Sequence, residues 1–285
     1  MSIGLVADSC CDTDAALRDY LRADYVPLRL NIGERHWVDD LDMDPMEVLR
    51  EMKTSTAGAG SSCPPVGEYL QQIERQLQQH QDCFVVTLSS RLSSSYSSAQ
   101  VAREMILEKQ PGRRIHVVDS LSASAGVTQT AYHLRKFIDM GLEFEQIIER
   151  INAYIKQQRT LFVLEDLSNF VKTGRLSKVK GMITTTFKLF PIMSDNGDGE
   201  VIMAVNVKGL RRSLSKLAEI IAADISKFTE LPAPLCICHS NCPERAQKLR
   251  DDVLALCPDY APVLIIPMRG IATLFANDGG ICVAY

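Results

Sequence analysis

The sequence predicts an α/β fold. Short apolar segments alternate with stretches whose apolar residues recur every three or four positions, and small polar residues follow three of those segments, where open α/β sheets bind ligands. The texture changes after residue 158, which predicts a second α/β unit beside the first.

The elements follow in order. Residues 3–7 form a continuous apolar run and read as a buried strand, 15–21 have helical spacing, and 26–32 are the second strand candidate. Residues 45–52 and 66–79 read as helices, the latter opening just after Pro64 and Pro65, and 83–88 read as the third strand. Helices over 97–108, 123–139 and 144–157, with a strand over 115–118, complete an N-terminal domain of residues 1–158 whose parallel strands are joined by crossover helices. Residues 159–285 predict a C-terminal mixed α/β domain that opens with a strand over 160–164. Its clearest local signal is Asn196-Gly197-Asp198-Gly199, a turn that predicts an antiparallel hairpin between 191–194 and 200–207. A helix over 211–227, a strand over 235–239, a helix over 243–256 and strands over 263–267 and 281–285 follow.

Bulk properties narrow the function classes. A chain of 285 residues with 46% hydrophobic content can bury a sizeable core, and a net charge of −4 without a long basic tract disfavours nucleic acid and anionic membranes. No run approaches the roughly 20 apolar residues of a membrane span, and the start lacks a basic leader. The expectation is a cytoplasmic protein without integral membrane association. Nine scattered cysteines fit reduced thiols, and Cys236, Cys238 and Cys242 do not have the paired spacing of a structural zinc site. No metal or cofactor is expected. Gly-x-Ser-x-Gly and a Walker lysine are missing, and none of the five histidines has a motif partner, so catalysis is the weaker class.

Three motifs carry the candidate site. The run Thr87-Leu88-Ser89-Ser90-Arg91-Leu92-Ser93-Ser94-Ser95-Tyr96 joins a strand to a helix, so hydroxyls and unpaired helix N–H groups can converge on an anion; Ser93 or Ser94 could equally be a simple helix cap. The hydroxyl-rich loop 54–65 could present Ser61 and Ser62 to a ligand or merely connect two helices. Arg175 could pair with a ligand anion, brace the serine loop, or form a surface pair with Glu165 or Asp166. Residues 181–193 could line a narrow pocket or belong to the core, and basic residues between Lys172 and Lys216 could mark a docking face or a solvated one. A serine-dependent acyl hydrolase and a module for another small anion remain alternatives.

Taken together, Val6-Ala7-Asp8-Ser9, Val26-Pro27-Leu28, Ser61-Ser62-Cys63-Pro64, the serine run, Val118-Asp119-Ser120, Thr173-Gly174-Arg175-Leu176-Ser177 and Lys188-Leu189-Phe190-Pro191-Ile192 resemble the DegV family over essentially the whole chain. The resemblance implies two α/β domains with a long-chain fatty acid between them, its carboxylate in the first and its acyl chain in the second. It also implies a bacterial, non-catalytic protein that presents the fatty acid to a separate fatty acid kinase, which makes acyl phosphate for phospholipid synthesis. Ser61 matches the threonine of the family's Thr-Ser-Gln-Pro signature, and Ser93 matches the gripping serine of its serine loop. Backbone N–H groups near Ser93 and Ser94 would assist. Arg175 matches the arginine of Gly-Gly-Arg-Ile. Departures are Arg91 and Ser94 for glycines, Cys63 for glutamine, Thr173 for glycine, and Phe275 where the family often has the histidine of His-Thr-Gly-Pro-Gly.

Overall fold

The computed structural model describes residues 2–176, 189–227, 234–260 and 262–285. In chain order its first part runs β1 (Ile3–Asp8), α1 (Ala15–Leu21), β2 (Asp24–Val26), β3 (Arg29–Ile32), β4 (Arg35–Val38), α2 (Pro45–Thr54), β5 (Ala59–Ser62), α3 (Val66–Leu77), β6 (Asp82–Thr87), α4 (Ser95–Lys109), β7 (Arg114–Asp119), α5 (Ala125–Asp139) and α6 (Phe144–Gln157). The second part runs β8 (Thr160–Val163), α7 (Ser168–Lys172), β9 (Ile192–Asp195), β10 (Val201–Val205), α8 (Leu210–Ile225), β11 (Leu235–His239), α9 (Pro243–Leu256), β12 (Val263–Pro267), α10 (Gly270–Ala276) and β13 (Ile281–Ala284).

The described residues form three sheets. Strands β2-β1-β6-β7 make a fully parallel sheet, whose central members β1 and β6 are buried at every position because helices cover both faces. A mixed sheet has the order β10-β9-β8-β13-β11-β12, with β11 and β12 parallel and every other neighbouring pair antiparallel. The expected hairpin is β9–β10, turning through Gly197 and Gly199, both at positive φ. Helix starts follow local chemistry. Asp14 and Asp44 accept N–H bonds from Leu17 and Met46 at the starts of α1 and α2, and Glu143 and Gln146 form a reciprocal capping pair on α6.

The third sheet corrects the sequence reading. The segment 26–32 is two strands: β2 pairs with β1, while β3 pairs antiparallel with β4 and β5. Pro27 has no N–H for a ladder, and Leu28 gives its N–H to the Ser9 hydroxyl at 3.0 Å, so the chain leaves one sheet and enters another. The loop expected over 54–65 contains β5, held by pairing with β3. Helices α7 and α10 were not expected either.

Helix α5 touches β1 and β6 of the parallel sheet and β11 and β13 of the mixed sheet. Its buried side chains therefore join the two sheets, and the largest core cluster runs without a break from Leu5 and Phe84 to Cys236 and Ile271.

Candidate ligand-binding cavity

The carboxyl ends of the parallel strands face the mixed sheet across a cavity. It encloses about 930 Å³ empty of protein atoms, its mouth included. Most of its surface is carbon, supplied by residues such as Leu28, Leu88, Phe162, Leu164, Val201 and Met268. Ser61, Ser93, Arg175 and Phe275 all line it, although they lie far apart in sequence.

The serine loop is tightly tied. Asp8, at the end of β1, accepts the N–H groups of Leu88 and Cys10 at 2.8 and 3.1 Å, and Asp119, at the end of β7, accepts that of Ser90 at 3.1 Å. Ser89 N–H goes to Ser122 O, Arg91 N–H to the Ser89 hydroxyl, and the N–H groups of Leu92 and Ser93 to Ser89 O. The N–H groups of Leu88 through Ser93 are thus spent within the protein, on Asp8, Asp119, Ser122 and Ser89. The Ser93 side chain remains on the cavity wall. The Ser93 oxygen accepts Ser95 N–H at 3.2 Å and lies 2.9 Å from the buried Ser95 hydroxyl. With Ser95 as donor in that contact, the Ser93 proton is left to point into the cavity.

Strand alternation on β5 places Ser61 and, two residues on, Cys63 against the cavity, and leaves Ser62 exposed. Ser94, the N-cap position of α4, is exposed too and makes no side-chain capping bond. Neither Ser62 nor Ser94 lines the cavity, so of the four candidate serines only Ser61 and Ser93 face it. Arg175 donates to Leu92 O at 3.4 Å and Thr173 O at 3.0 Å, and its guanidinium sits 5.9 Å from the centre of the Phe275 ring. It braces the serine loop. Glu165 pairs with Arg245 instead, at 2.7 Å. Phe275, on α10, continues an aromatic row, 4.9 Å from Phe170, which is 5.7 Å from Phe162.

Sequence reasoning missed part of the wall. Ser122, Ser124 and Thr160 line the cavity, with the Ser122 and Thr160 hydroxyls 2.7 Å apart. Leu121 and Ser124 have positive φ, so the turn after β7 is sharply folded. Cys10 and Cys282 also line the cavity as free thiols, and burial pushes both upward, Cys282 to about 12, so they stay neutral. The signal available was the pair Asp8 and Asp119, each closing an apolar strand.

Among the described residues the lining holds no histidine and one acid, Asp195, which accepts Gly197 N–H at 2.8 Å. Among the described residues no cluster of histidine, cysteine, aspartate and glutamate could hold a metal ion, and no helix is long and apolar enough to cross a membrane. Cys236 and Cys238 lie side by side on β11, sulfurs 3.8 Å apart and fully buried. Lys178, Lys180 and residues 181–188 lie outside the described residues; Lys216, from the same basic group, pairs with Glu219 at 2.9 Å.

The family model described as uncharacterised protein, DegV family, matches residues 2–285. A DegV domain-containing protein of Streptococcus pyogenes is 30% identical over 287 residues, covering 100% of this chain and 99% of its own. A solved DegV family protein from Ruminococcus gnavus, with vaccenic acid, superposes with a TM-score of 0.91 at 32% identity, covering 100% of this chain and 99% of that one. The Streptococcus pneumoniae fatty acid kinase (Fak) B3 protein, loaded with linoleic acid, does so with a TM-score of 0.87 at 28% identity and the same coverage. A DegV family protein from Eubacterium eligens, loaded with heptadecanoic acid, gives 0.86 at 26% identity, covering 99% of each chain.

Proposed function

Because the chain belongs to the DegV family, we propose that it is a cytoplasmic long-chain fatty-acid-binding protein that presents the bound carboxylate to a separate kinase for acyl-phosphate formation, without catalysing that step itself. The observation that carries this reading is a largely apolar cavity with Ser61 and Ser93 among the hydroxyls on its wall. Relatives of the same fold hold vaccenic, linoleic and heptadecanoic acids, and one is named as a fatty acid kinase B protein.

The energetics suit a lipid. Burying an acyl chain of about sixteen carbons at roughly 0.8 kcal/mol per methylene offers on the order of 12 kcal/mol before ordering costs. Burying the carboxylate without partners would cost several kcal/mol, so the hydroxyls select an acid over a hydrocarbon. In this reading residues 1–158 hold the carboxylate through Ser61 and Ser93, residues 159–285 supply most of the acyl-chain wall, and Arg175 keeps the serine loop in place. Phe275 packs in the cavity wall where relatives often carry histidine, so any polar assistance at that corner comes from elsewhere or is dispensed with.

Protein purified from a bacterial host without added lipid, denatured and analysed by mass spectrometry, is expected to release near-stoichiometric fatty acid. Ser61→Ala combined with Ser93→Ala is expected to weaken binding of a free fatty acid by about 10- to 100-fold, the loss of charge-assisted hydrogen bonds, while binding of the fatty alcohol of equal length changes little. Absence of lipid together with failure to bind added fatty acids defeats the proposal, and equal losses for acid and alcohol defeat the head-group assignment.

A further inference from the structure

Three carboxylates hold the cavity walls together, and all three are buried. Asp8 fastens the serine loop through Leu88 N–H. Asp12 accepts Arg269 N–H at 2.7 Å just before α10 and the Ser124 hydroxyl from the turn after β7. Asp39 accepts the first two N–H groups of α10, from Gly270 at 2.9 Å and Ile271 at 3.1 Å. Helix α10 is itself a wall, contributing Ile271, Ala272, Phe275 and Ala276. Gly270 is required there, since a Cβ would stand 2.7 Å from the Asp39 carboxylate and 2.6 Å from Met43 Sδ.

We propose that Asp8, Asp12 and Asp39 form a proton-linked latch: the closed cavity keeps a proton in this acidic cluster, and undocking of α10 to admit or release ligand lets it go. The inference rests on the cavity being a lipid site.

The charges support it. Asp8 faces Asp39 and Asp119, Asp12 faces Asp39 and Arg269, and Asp39 faces Arg269. The Tyr69 hydroxyl and the thiols of Cys10, Cys11, Cys238 and Cys282 surround Asp8 and Asp12, but burial pushes them upward and they add no charge near neutrality. One guanidinium therefore stands against three buried carboxylates, and Arg269 turns two of its donors to the carbonyls of Asp39 and Asp40. Ionising all three leaves buried negative charge uncompensated, so burial pushes Asp8 and Asp12 up to about 7 despite their N–H bonds, and raises Asp39 as well. Undocking α10 solvates Asp12 and Asp39 and favours their ionised forms. The closed state therefore binds more protons than the open one, and raising the pH through 7 favours opening.

The test follows dissociation of cis-parinaric acid and of its uncharged alcohol by stopped flow from pH 5.5 to 8.5. Release of both is expected to quicken severalfold between pH 6 and 8.5, and Asp12→Asn, which keeps the shape of the protonated acid, is expected to flatten the profile. The alcohol removes the ligand's own titration. If Asp12→Asn does not fold, hydrogen exchange on the native protein decides, with α10 protection factors expected to fall between pH 6 and 8. Release that does not vary with pH, an unchanged profile in Asp12→Asn, or constant α10 protection overturns the latch. Failure of both probes to bind overturns the lipid reading on which it rests.

Discussion

Ser93 shows how much a single side chain depends on its neighbour. Its hydroxyl oxygen accepts the N–H of Ser95, the first residue of α4, at 3.2 Å and so serves the helix start as well as the cavity wall, and the buried Ser95 hydroxyl lies 2.9 Å away. Gly199 makes the same point for the backbone. It sits at the hairpin end with φ +83, its carbonyl accepts the Ser89 hydroxyl at 2.8 Å, and a Cβ would stand 2.3 Å from Ser89 Oγ and 3.1 Å from the backbone of Leu121. Gly199→Ala is expected to cost about 2–4 kcal/mol, the sum of positive-φ strain and a steric clash. Gly197→Ala, at φ +84 with nothing within 4 Å, carries the strain alone and is expected to cost about 1–2 kcal/mol. Urea unfolding of the two variants measures the difference, and equal losses would show that the hairpin tip does not press on the serine loop.

At the scale of elements, α10 matters most, and it was the least legible. Its seven residues begin with glycine, and its first N–H groups are satisfied by Asp39, which lies 231 residues away from Gly270 in the chain. No local pattern announces such a helix. Strand β5 has the same origin. Ala59-Gly60-Ser61-Ser62 has no strand propensity, and pairing with β3 alone makes it a strand. By contrast β1, β6 and α6 were readable because their apolar spacing is local and unbroken. The site was legible in residue type: Ser61, Ser93, Arg175 and Phe275 do meet at one cavity. Its geometry was not, because whether Ser62 or Ser61 faces inward depends on the register of a strand the sequence conceals. Phe275 ties α10 to α7 through Phe170 at 4.9 Å. Phe275→Ala is expected to destabilise the protein by about 2–4 kcal/mol, less than a fully enclosed phenylalanine because the ring is half-buried. A lower urea midpoint with unchanged slope is the expected record; an unaltered midpoint would show that the aromatic row does not hold the wall.

For the whole molecule, the parallel and mixed sheets share the largest core cluster. Val127, Ala131 and Leu134 of α5 are fully buried, and that helix touches strands of both sheets. Separating residues 1–158 from 159–285 would expose this face. Calorimetry is therefore expected to show a single cooperative transition, moved upward by added fatty acid in proportion to the logarithm of its concentration. Two resolved transitions would show that the halves fold as independent units.

The self-bonded serine loop has a further consequence for how a ligand is met. Because Leu88, Ser89, Ser90, Arg91, Leu92 and Ser93 already donate their N–H groups within the protein, this stretch of the cavity wall is finished before anything arrives. Association then carries no penalty for ordering this segment, and the cost that remains is stripping water from the polar end of whatever ligand arrives. Such a loop behaves as a mould rather than a glove.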